Sequence, residues 1–309
     1  MKDGKEAPDA SHDKQGINNI LSVTKADKPF DEIVGLDDAK EKIRYRFDIY
    51  FRHKNELKNK PSKGMLLYGY PGTGKTMFIK ATMEEYKDSP NLYFKILNHH
   101  DLTRYIGNTS EKTFNLIQGL RNQAKGKDIV LIIDEVDKLL PEKTTSEIVN
   151  ERIKSLLDHI DGVLDDGGLY VMCCTNHPNK ICAAFLRSGR VDTQIEVSLP
   201  NDIERKELIH KYIGSLGLDD NCINSIYEFT PKWTGADYTR LGRELEESFI
   251  IKREMNPSYV LNPEDIIKKI MKVDRTRKKN FKVFEDEYKA YLNEEDYSIY
   301  PVCAYAGGI

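Results

Sequence analysis

A glycine-rich loop followed by a lysine and a threonine is the part of this sequence best suited to chemistry. Residues 69–76 read Gly-Tyr-Pro-Gly-Thr-Gly-Lys-Thr, between the apolar run Met65–Tyr68 and the helix-forming run Met77–Tyr86. Glycines let the backbone curl until several N–H groups point at one anion, and a helix that begins there directs the positive end of its dipole to the same place. Lys75 can reach the outer phosphates of a nucleotide, and the Thr76 hydroxyl can bind Mg²⁺. The pattern therefore predicts a phosphate-binding loop between a strand and a helix.

Two carboxylates at the end of another apolar run would complete this chemistry. The run Ile129–Ile133 has the continuous hydrophobicity of a buried strand, and Asp134 and Glu135 follow it directly. Ligands of open parallel sheets bind at the carboxyl ends of the strands, so we expect both side chains beside the phosphates. Asp134 is predicted to hold Mg²⁺ together with Thr76, and Glu135 to polarise the water that attacks the γ-phosphate. Without the loop, a solvated acidic pair would be the simpler interpretation.

Later in the chain, an amide and two arginines are candidates for contact with the γ-phosphate. Asn176 follows the apolar run Leu169–Cys174 and is predicted to orient the attacking water, whereas His177 is predicted to be a loop residue. Arg187 and Arg190 precede the last strand, too far along the sheet edge to reach the nucleotide of their own chain easily. An arginine inserted into a neighbour's site would neutralise charge as the phosphate leaves. An intramolecular ion pair is the alternative.

The elements that must position these residues are short apolar runs alternating with helical segments. Unbroken hydrophobicity is typical of strands buried on both faces, which predicts an α/β fold with a parallel five-stranded sheet and flanking helices. The runs predicted as strands are Met65–Tyr68, Leu92–Leu97, Ile129–Ile133, Leu169–Cys174 and Gln194–Leu199. A helix is predicted from Asp37 onward, with apolar residues near helical spacing at Ala39, Ile43, Phe47 and Phe51.

The pattern changes after Pro200, where no further strand is evident and a second, all-helical unit is predicted. Its helical segments are expected at residues 202–214, 221–228, 236–254 and 263–273. We expect four parts in all: a flexible tail at 1–27, a nucleotide-binding α/β subdomain at 28–200, a helical lid at 201–273, and a basic linker with a Tyr-rich extension at 274–309. The basic run 274–282 is interpreted as a solvated linker, with contact to an acidic polymer or partner as the alternative.

Composition is that of a soluble globular protein, and we expect it in the cytoplasm. Hydrophobic residues make up 39% and charged residues 31% of the chain. The formal net charge of −3 gives no global field that favours nucleic acid or an anionic membrane. No apolar run approaches the roughly 20 residues that span a bilayer, so no transmembrane segment is expected. The five cysteines are odd in number and lack metal-ligand spacing, which favours a reducing compartment.

Taken together, the motifs resemble those of the AAA clade of the AAA+ ATPases, a superfamily that includes protein-remodelling unfoldases. The resemblance covers roughly residues 30–273. In chain order, Gly69–Thr76 matches Walker A, Ile129–Glu135 matches Walker B, Asn176 matches sensor 1, and Ala184–Asp192 looks like the second region of homology, with Arg187 and Arg190 at the arginine-finger positions. Gly235-Ala236-Asp237 resembles the opening of a lid helix, and like that clade this chain lacks a sensor 2 arginine there.

The resemblance also implies a set of residues around ATP and Mg²⁺. The segment Asp31–Leu36 is similar to one that holds adenine through its backbone, and Leu208 falls at a lid position that packs against the base. The implied nucleotide contacts are Val34, Gly35, Pro71, Gly72, Thr73, Gly74, Lys75, Thr76, Met77, Asp134, Leu208, Gly235 and Ala236. The implied catalytic groups are Lys75, Glu135, Asn176, Arg187 and Arg190.

A ring, usually a hexamer, is implied as well, because the active site of this family needs a neighbour's arginines. Tyr105-Ile106-Gly107 occupies the place of the family's first pore loop, where an aromatic ring can grip a protein substrate by contact area. The alternative for Tyr105 is a core residue at a helix end. Either the two termini choose the partner, for example through an adaptor, or the sequence is a shortened form of a longer chain.

Three functions remain to be weighed. The first is an ATP-hydrolysing ring motor that unfolds or disassembles proteins by threading them through a central pore. The second is a nucleic-acid-stimulated motor or loader, which the basic run 274–282 keeps open although the balanced charge and Tyr105 argue against nucleic acid as the partner. The third is a scaffold that binds ATP without hydrolysing it, which would have no need of Glu135, Asn176 and both arginines.

Overall fold

The computed structural model describes residues 30, 33–53, 56–58, 62–97, 118–141 and 168–274. Within them, five strands form one sheet in the order β2-β3-β4-β1-β5, and every neighbouring pair is parallel. The strands are β1 (Gly64–Tyr68), β2 (Leu92–Leu97), β3 (Asp128–Ile133), β4 (Leu169–Thr175) and β5 (Thr193–Glu196). This confirms the predicted five-stranded parallel sheet and brings the carboxyl ends of β1, β3 and β4 to one edge.

The last strand is shorter than the sequence predicted. We expected Gln194–Leu199, but β5 ends at Glu196, which lies opposite Tyr68, the final residue of β1. Beyond that pair β1 has turned into the glycine-rich loop, so only Val197 still donates its N–H to the carbonyl of Tyr68, at 2.7 Å. The chain then leaves the sheet toward the helical unit.

Hydrophobic cores lie on both faces of the sheet, because successive strand residues point to opposite sides and both sides are buried. One face packs against α1 (Asp37–Arg52) and α2 (Lys75–Glu85), around the fully buried ring of Tyr170. The other face packs against helical residues 118–124 and the short helix α3 (Val136–Leu139). Single-turn 3₁₀ helices follow β4 at Pro178–Lys180 and Ala183–Leu186.

A separate core holds the helical unit together. It comprises α4 (Asp202–Ile213), α5 (Asp220–Phe229), α6 (Gly235–Met255) and helical residues 263–274, with a 3₁₀ turn at Gly214–Leu216. These helices begin and end within one or two residues of the predicted segments.

Arg205 is the polar centre of this unit and is only 8% exposed. Its guanidinium donates to the carbonyls of Tyr227 and Thr230 and to the hydroxyl of Tyr238, and it forms an ion pair with Asp202 at 3.0 Å. One side chain thereby ties α4 to α5 and α6. The three helices are therefore joined by one buried cation.

Several predicted features lie outside the described residues. They are the N-terminal tail at 1–27, the pore-loop residues Tyr105, Ile106 and Gly107, and nearly all of the extension at 274–309. None of the helices in the described ranges combines the length and hydropathy that a membrane-spanning helix needs.

Candidate active site

The glycine-rich loop between β1 and α2 folds around the side chain of Lys75. The φ angles of Gly69, Gly72 and Gly74 are +150°, +82° and +104°, which side chains with a Cβ rarely adopt. Lys75 is 6% exposed, and its Nζ donates to the carbonyls of Gly69 at 2.9 Å and Tyr70 at 2.7 Å. Among the described residues the ammonium is thus held by two loop carbonyl groups, which are weak partners for a full charge.

Burial lowers the pKa of Lys75 from 10.5 to about 8, against the raising influence of nearby groups that include Asp134 and Asp137. Burial penalises the charged form, and the two loop carbonyls do not replace the lost hydration. A phosphate placed beside this ammonium would restore the pKa. The site is therefore electrostatically prepared for an anion.

Asp134 lies next to the loop, at the end of β3. Its Oδ2 accepts the hydroxyl of Thr76 at 3.2 Å, and its Oδ1 accepts the thiol of Cys174 at 2.7 Å and the backbone N–H of Glu135 at 2.9 Å. Burial, followed by the charge of Asp134, raises the pKa of the Cys174 thiol, so the sulfur keeps its proton and donates it. A hydroxyl in the first turn of α2 and a carboxylate at the end of β3 are oxygen ligands of the kind that Mg²⁺ prefers, and this pair fits that ion.

Glu135 has a left-handed backbone conformation, with φ +52° and ψ 50°, immediately before α3. For a residue other than glycine this conformation costs about 1–2 kcal/mol, and such strain is concentrated at functional sites. Its Oε2 accepts Lys138 Nζ at 2.5 Å, and both side chains are about half exposed, at 49% and 53%. The carboxylate is thus on the open side of the site and is tied to a lysine of its own helix.

Asn176 follows β4 and is held by its neighbours. The hydroxyl of Thr175 donates to Asp137 at 2.5 Å and accepts the backbone N–H of His177 at 2.8 Å. These two bonds fix the end of β4 against α3. Asn176, which lies between Thr175 and His177 in sequence, lines the same cavity as Glu135.

A cavity of about 420 Å³ connects these groups with the helical unit, a volume typical of small-molecule sites. Its polar end is formed by Gly72, Thr73, Gly74, Lys75, Thr76, Met77, Asp134, Glu135, Asn176 and Cys174. Its other end is mainly apolar and is formed by Ile33, Val34, Leu36, Leu208 and Tyr212. Gly235 and Ala236 also line the cavity and lie against the glycine-rich loop. A nucleotide with its phosphates on the loop would place its base at the apolar end.

Four of the predicted residues are not among the described residues that line this cavity. Gly35, with φ +65°, forms the turn behind the apolar end, and Pro71 is exposed on the outside of the loop. Arg187 is exposed, and Arg190 is half-buried with its Nη1 donating to the carbonyl of Ala184 at 2.6 Å. Both arginines therefore lie outside the cavity of their own chain.

Sequence reasoning missed several lining residues, among them Cys174, Glu204 and Lys211. Glu204 could have been noticed as the third residue after Asn201, a spacing typical of a helix capping box. The sequence marks Cys174 only as the last residue of the apolar run Leu169–Cys174. Its bond to Asp134 depends on strand pairing across the sheet, which spacing alone does not reveal.

Comparison with known proteins gives a family match and several relatives. The family model described as "ATPase family associated with various cellular activities (AAA)" matches residues 65–199. The chain is 29% identical over 252 residues to protein SAV of Sulfolobus acidocaldarius, covering 78% of this chain and 31% of that protein. It is 27% identical over 243 residues to protein CdcH of Halobacterium salinarum, covering 77% and 32%.

A third relative is the proteasome-activating nucleotidase of Methanothermobacter thermautotrophicus, 30% identical over 276 residues, which cover 86% of this chain and 63% of that protein. The chain thus spans about a third of the length of the first two relatives and less than two thirds of the third. The matched region contains the loop, the acidic strand end and Asn176, whose geometry is that of a nucleotide site. On both grounds, the chain belongs to the AAA+ superfamily of ATPases.

Proposed function

We propose that this AAA+ protein hydrolyses ATP in the cavity between its sheet and its helical lid, and that it uses the cycle to remodel protein substrates. One observation supports the chemistry most strongly. Within a single cavity, a buried ammonium in a glycine-rich loop lies beside a hydroxyl–carboxylate pair and a second carboxylate. A scaffold that only bound ATP would not need Glu135 at that place.

Binding would begin with the side chain of Lys75, which exchanges two loop carbonyls for phosphate oxygens. The start of α2 adds N–H groups and the positive end of its dipole. Thr76 and Asp134 would hold Mg²⁺, which neutralises charge that develops on the phosphate oxygens. Leu208 and Val34 would contact the base at the apolar end of the cavity.

Hydrolysis would follow when Glu135 accepts a proton from the attacking water, which Asn176 helps to orient. For this the carboxylate must exchange its bond with Lys138 for one with the water. Both side chains of this ion pair are about half exposed, so solvent screens the pair and it is easily broken. Lys138 therefore delays the base without disabling it.

The lid contacts the phosphate loop directly, which supports a mechanical use of the cycle. The backbone N–H of Ala236, in the first turn of α6, donates to the carbonyl of Gly72 at 3.2 Å. A Cβ on Gly72 would lie 2.8 Å from Thr234 Oγ1 and 3.0 Å from Ala236 Cβ, so the two surfaces touch. Any change in the loop when the γ-phosphate leaves would therefore be transmitted to α6 and, through Arg205, to the rest of the lid.

The mechanical proposal includes a homo-oligomeric ring, a hexamer by family resemblance. Arg187 and Arg190 would serve the site of a neighbour, which is consistent with their position outside their own chain's cavity. Tyr105, Ile106 and Gly107 would contact a protein threaded through the ring. One relative carries the name proteasome-activating nucleotidase, which favours protein over nucleic acid as the partner.

Three variants test this proposal. Glu135→Gln should bind ATP and retain a protein client but lose turnover, because the amide cannot take the proton. Arg190→Ala and Lys75→Ala should each be inactive, and mixing them should restore part of the hydrolysis if the arginine acts in a neighbour's site. Turnover should rise with an unfolded protein and not with single-stranded DNA. Wild-type turnover in Glu135→Gln would refute the role of Glu135 as the base. Full activity of a strict monomer would refute the ring and the action of the arginines in a neighbour's site.

A further inference from the structure

The turn behind the apolar end of the cavity is held from the lid. Gly35 and Leu36 both have positive φ, +65° and +58°, and Leu36 has no glycine-like freedom to adopt it. A backbone of this kind persists only where its surroundings hold it. Here the N–H of Leu36 donates to Oε1 of Glu204, on α4 and 168 residues away, at 3.0 Å.

The same carboxylate also fixes the point where the lid begins. Its Oε2 accepts the backbone N–H of Asn201 at 2.7 Å, while the side chain of Asn201 accepts the N–H of Glu204 at 3.0 Å, which together form the capping box of α4. The two oxygens of Glu204 thus bind different segments. Oε1 binds the turn at Leu36, and Oε2 binds the backbone at Asn201, where α4 begins. A Cβ on Gly35 would lie 2.0 Å from Oε1, so the side chain lies directly on the turn.

We propose that Glu204 is the positioning residue through which the base end of the nucleotide site is coupled to the angle of the lid. Val34, one residue before the turn, lines the cavity and also packs against the lid core. A base bound there would contact a segment whose last N–H is held by the first turn of α4. The inference rests on the proposed nucleotide site and is independent of ring assembly and protein remodelling.

The variant Glu204→Asp separates this coupling from the role of Glu204 in capping. An aspartate at the same position of a capping box already works in this chain, because Asp237 accepts the N–H of Thr234 at 2.9 Å at the start of α6. The shortened side chain should therefore still cap α4 but not reach Leu36. We expect ADP to bind about tenfold more weakly, since a charge-assisted hydrogen bond that orders the base segment is lost.

The decisive comparison is between ADP and inorganic tripolyphosphate, measured by calorimetry on the full chain. Tripolyphosphate occupies only the loop end, so its affinity should change less than about twofold in Glu204→Asp, and the unfolding midpoint should stay within about 2 °C. Glu207→Asp, on the exposed side of the same helix, is the matched control and should change neither affinity. Glu204→Gln keeps the length of the side chain but offers one acceptor to two N–H donors, so it should also weaken ADP selectively.

Equal loss of ADP and tripolyphosphate binding, or no loss of either, would overturn the coupling. Unfolding of both Glu204 variants would overturn it too, because Glu204 would then be needed for the fold rather than for the base. A wild-type chain that bound neither ligand would instead refute the nucleotide site itself. The two failures are therefore distinguishable.

Discussion

The lowered pKa of Lys75 predicts that nucleotide binding weakens as the pH rises through about 8. With a pKa of about 8, the ammonium is about nine-tenths charged at pH 7 and about one-tenth charged at pH 9. A bound phosphate needs the charged form and holds it there. The affinity for ADP should therefore fall about tenfold between pH 7 and pH 9, or about 1.4 kcal/mol.

Proton uptake is the sharper measurement. Binding of ADP should take up about 0.5 proton per site at pH 8 and about 0.9 at pH 9, because the fraction of Lys75 that was neutral becomes charged. Calorimetry in buffers of different ionisation enthalpy measures this number directly. The phosphate groups of ADP lose their last proton near pH 6–7, so they contribute little above about pH 8.

Two variants provide the controls. Lys75→Arg cannot lose its charge in this range, so whatever binding it retains should show no proton uptake. Lys80→Met removes an exposed lysine of the same helix and should leave the uptake unchanged. Uptake below about 0.2 proton at pH 9, or equal uptake in Lys75→Arg, would refute the assignment of this titration to Lys75.

In the unliganded protein, the same pKa acts on stability with the opposite sign. The pKa of Lys75 is lower in the folded state, about 8, than in the unfolded chain, 10.5. Between these values the unfolded chain binds more protons at this residue, so its contribution to the free energy of unfolding rises with pH. A rise in pH should therefore increase the contribution of Lys75 to the stability of the unliganded protein, while it lowers the affinity for ADP.

Three further predictions concern contacts around the loop. Gly72→Ala should weaken ADP binding, measured by calorimetry, at least tenfold. Gly126 has the same φ of about +83° but open space around a Cβ, so Gly126→Ala should leave binding unchanged and cost only about 1 kcal/mol of stability in thermal unfolding. Cys174→Ala should raise the Mg²⁺ concentration for half-maximal turnover about tenfold, and Cys174→Ser, which keeps a donor, should restore it. Lys138→Met should free Glu135 and raise the turnover number up to about fivefold with no change in ADP affinity, so a fall in turnover would contradict the interpretation of the ion pair.

The sheet was predictable because its signal is local. Strands buried on both faces must be apolar throughout, and all five runs appear as strands within one residue of the prediction, except at the end of β5. The loop was predictable for a similar reason, because glycines, a lysine and a threonine at this fixed spacing are compatible with few other backbone conformations. Gly69 illustrates this: a Cβ there would lie 2.3 Å from the carbonyl of Val197, so the position admits no side chain.

The contacts that tune the site were not predictable, because they join residues that are distant in sequence. The bond from Cys174 to Asp134 requires β3 and β4 to be neighbours in a known register. The bond from Leu36 to Glu204 requires the start of the lid to fold back over the turn before α1. By contrast, Lys138 is three residues after Glu135, and this pair could have been inferred from helical spacing alone.

The lid is attached to the two ends of the cavity by different bonds, and this has a consequence for the cycle. At the apolar end the carboxylate of Glu204 holds the turn at Leu36, and at the polar end Ala236 donates to the carbonyl of Gly72. ATP and ADP share the base and differ only at the phosphates. The apolar attachment would therefore remain through hydrolysis and serve as a pivot, while the attachment at Gly72 changes with the γ-phosphate. Loss of this pivot in Glu204→Asp should then uncouple lid movement from hydrolysis without stopping hydrolysis. Distances between labels on α1 and α6 measure the movement, and equal movement in the variant and the wild type would contradict this role.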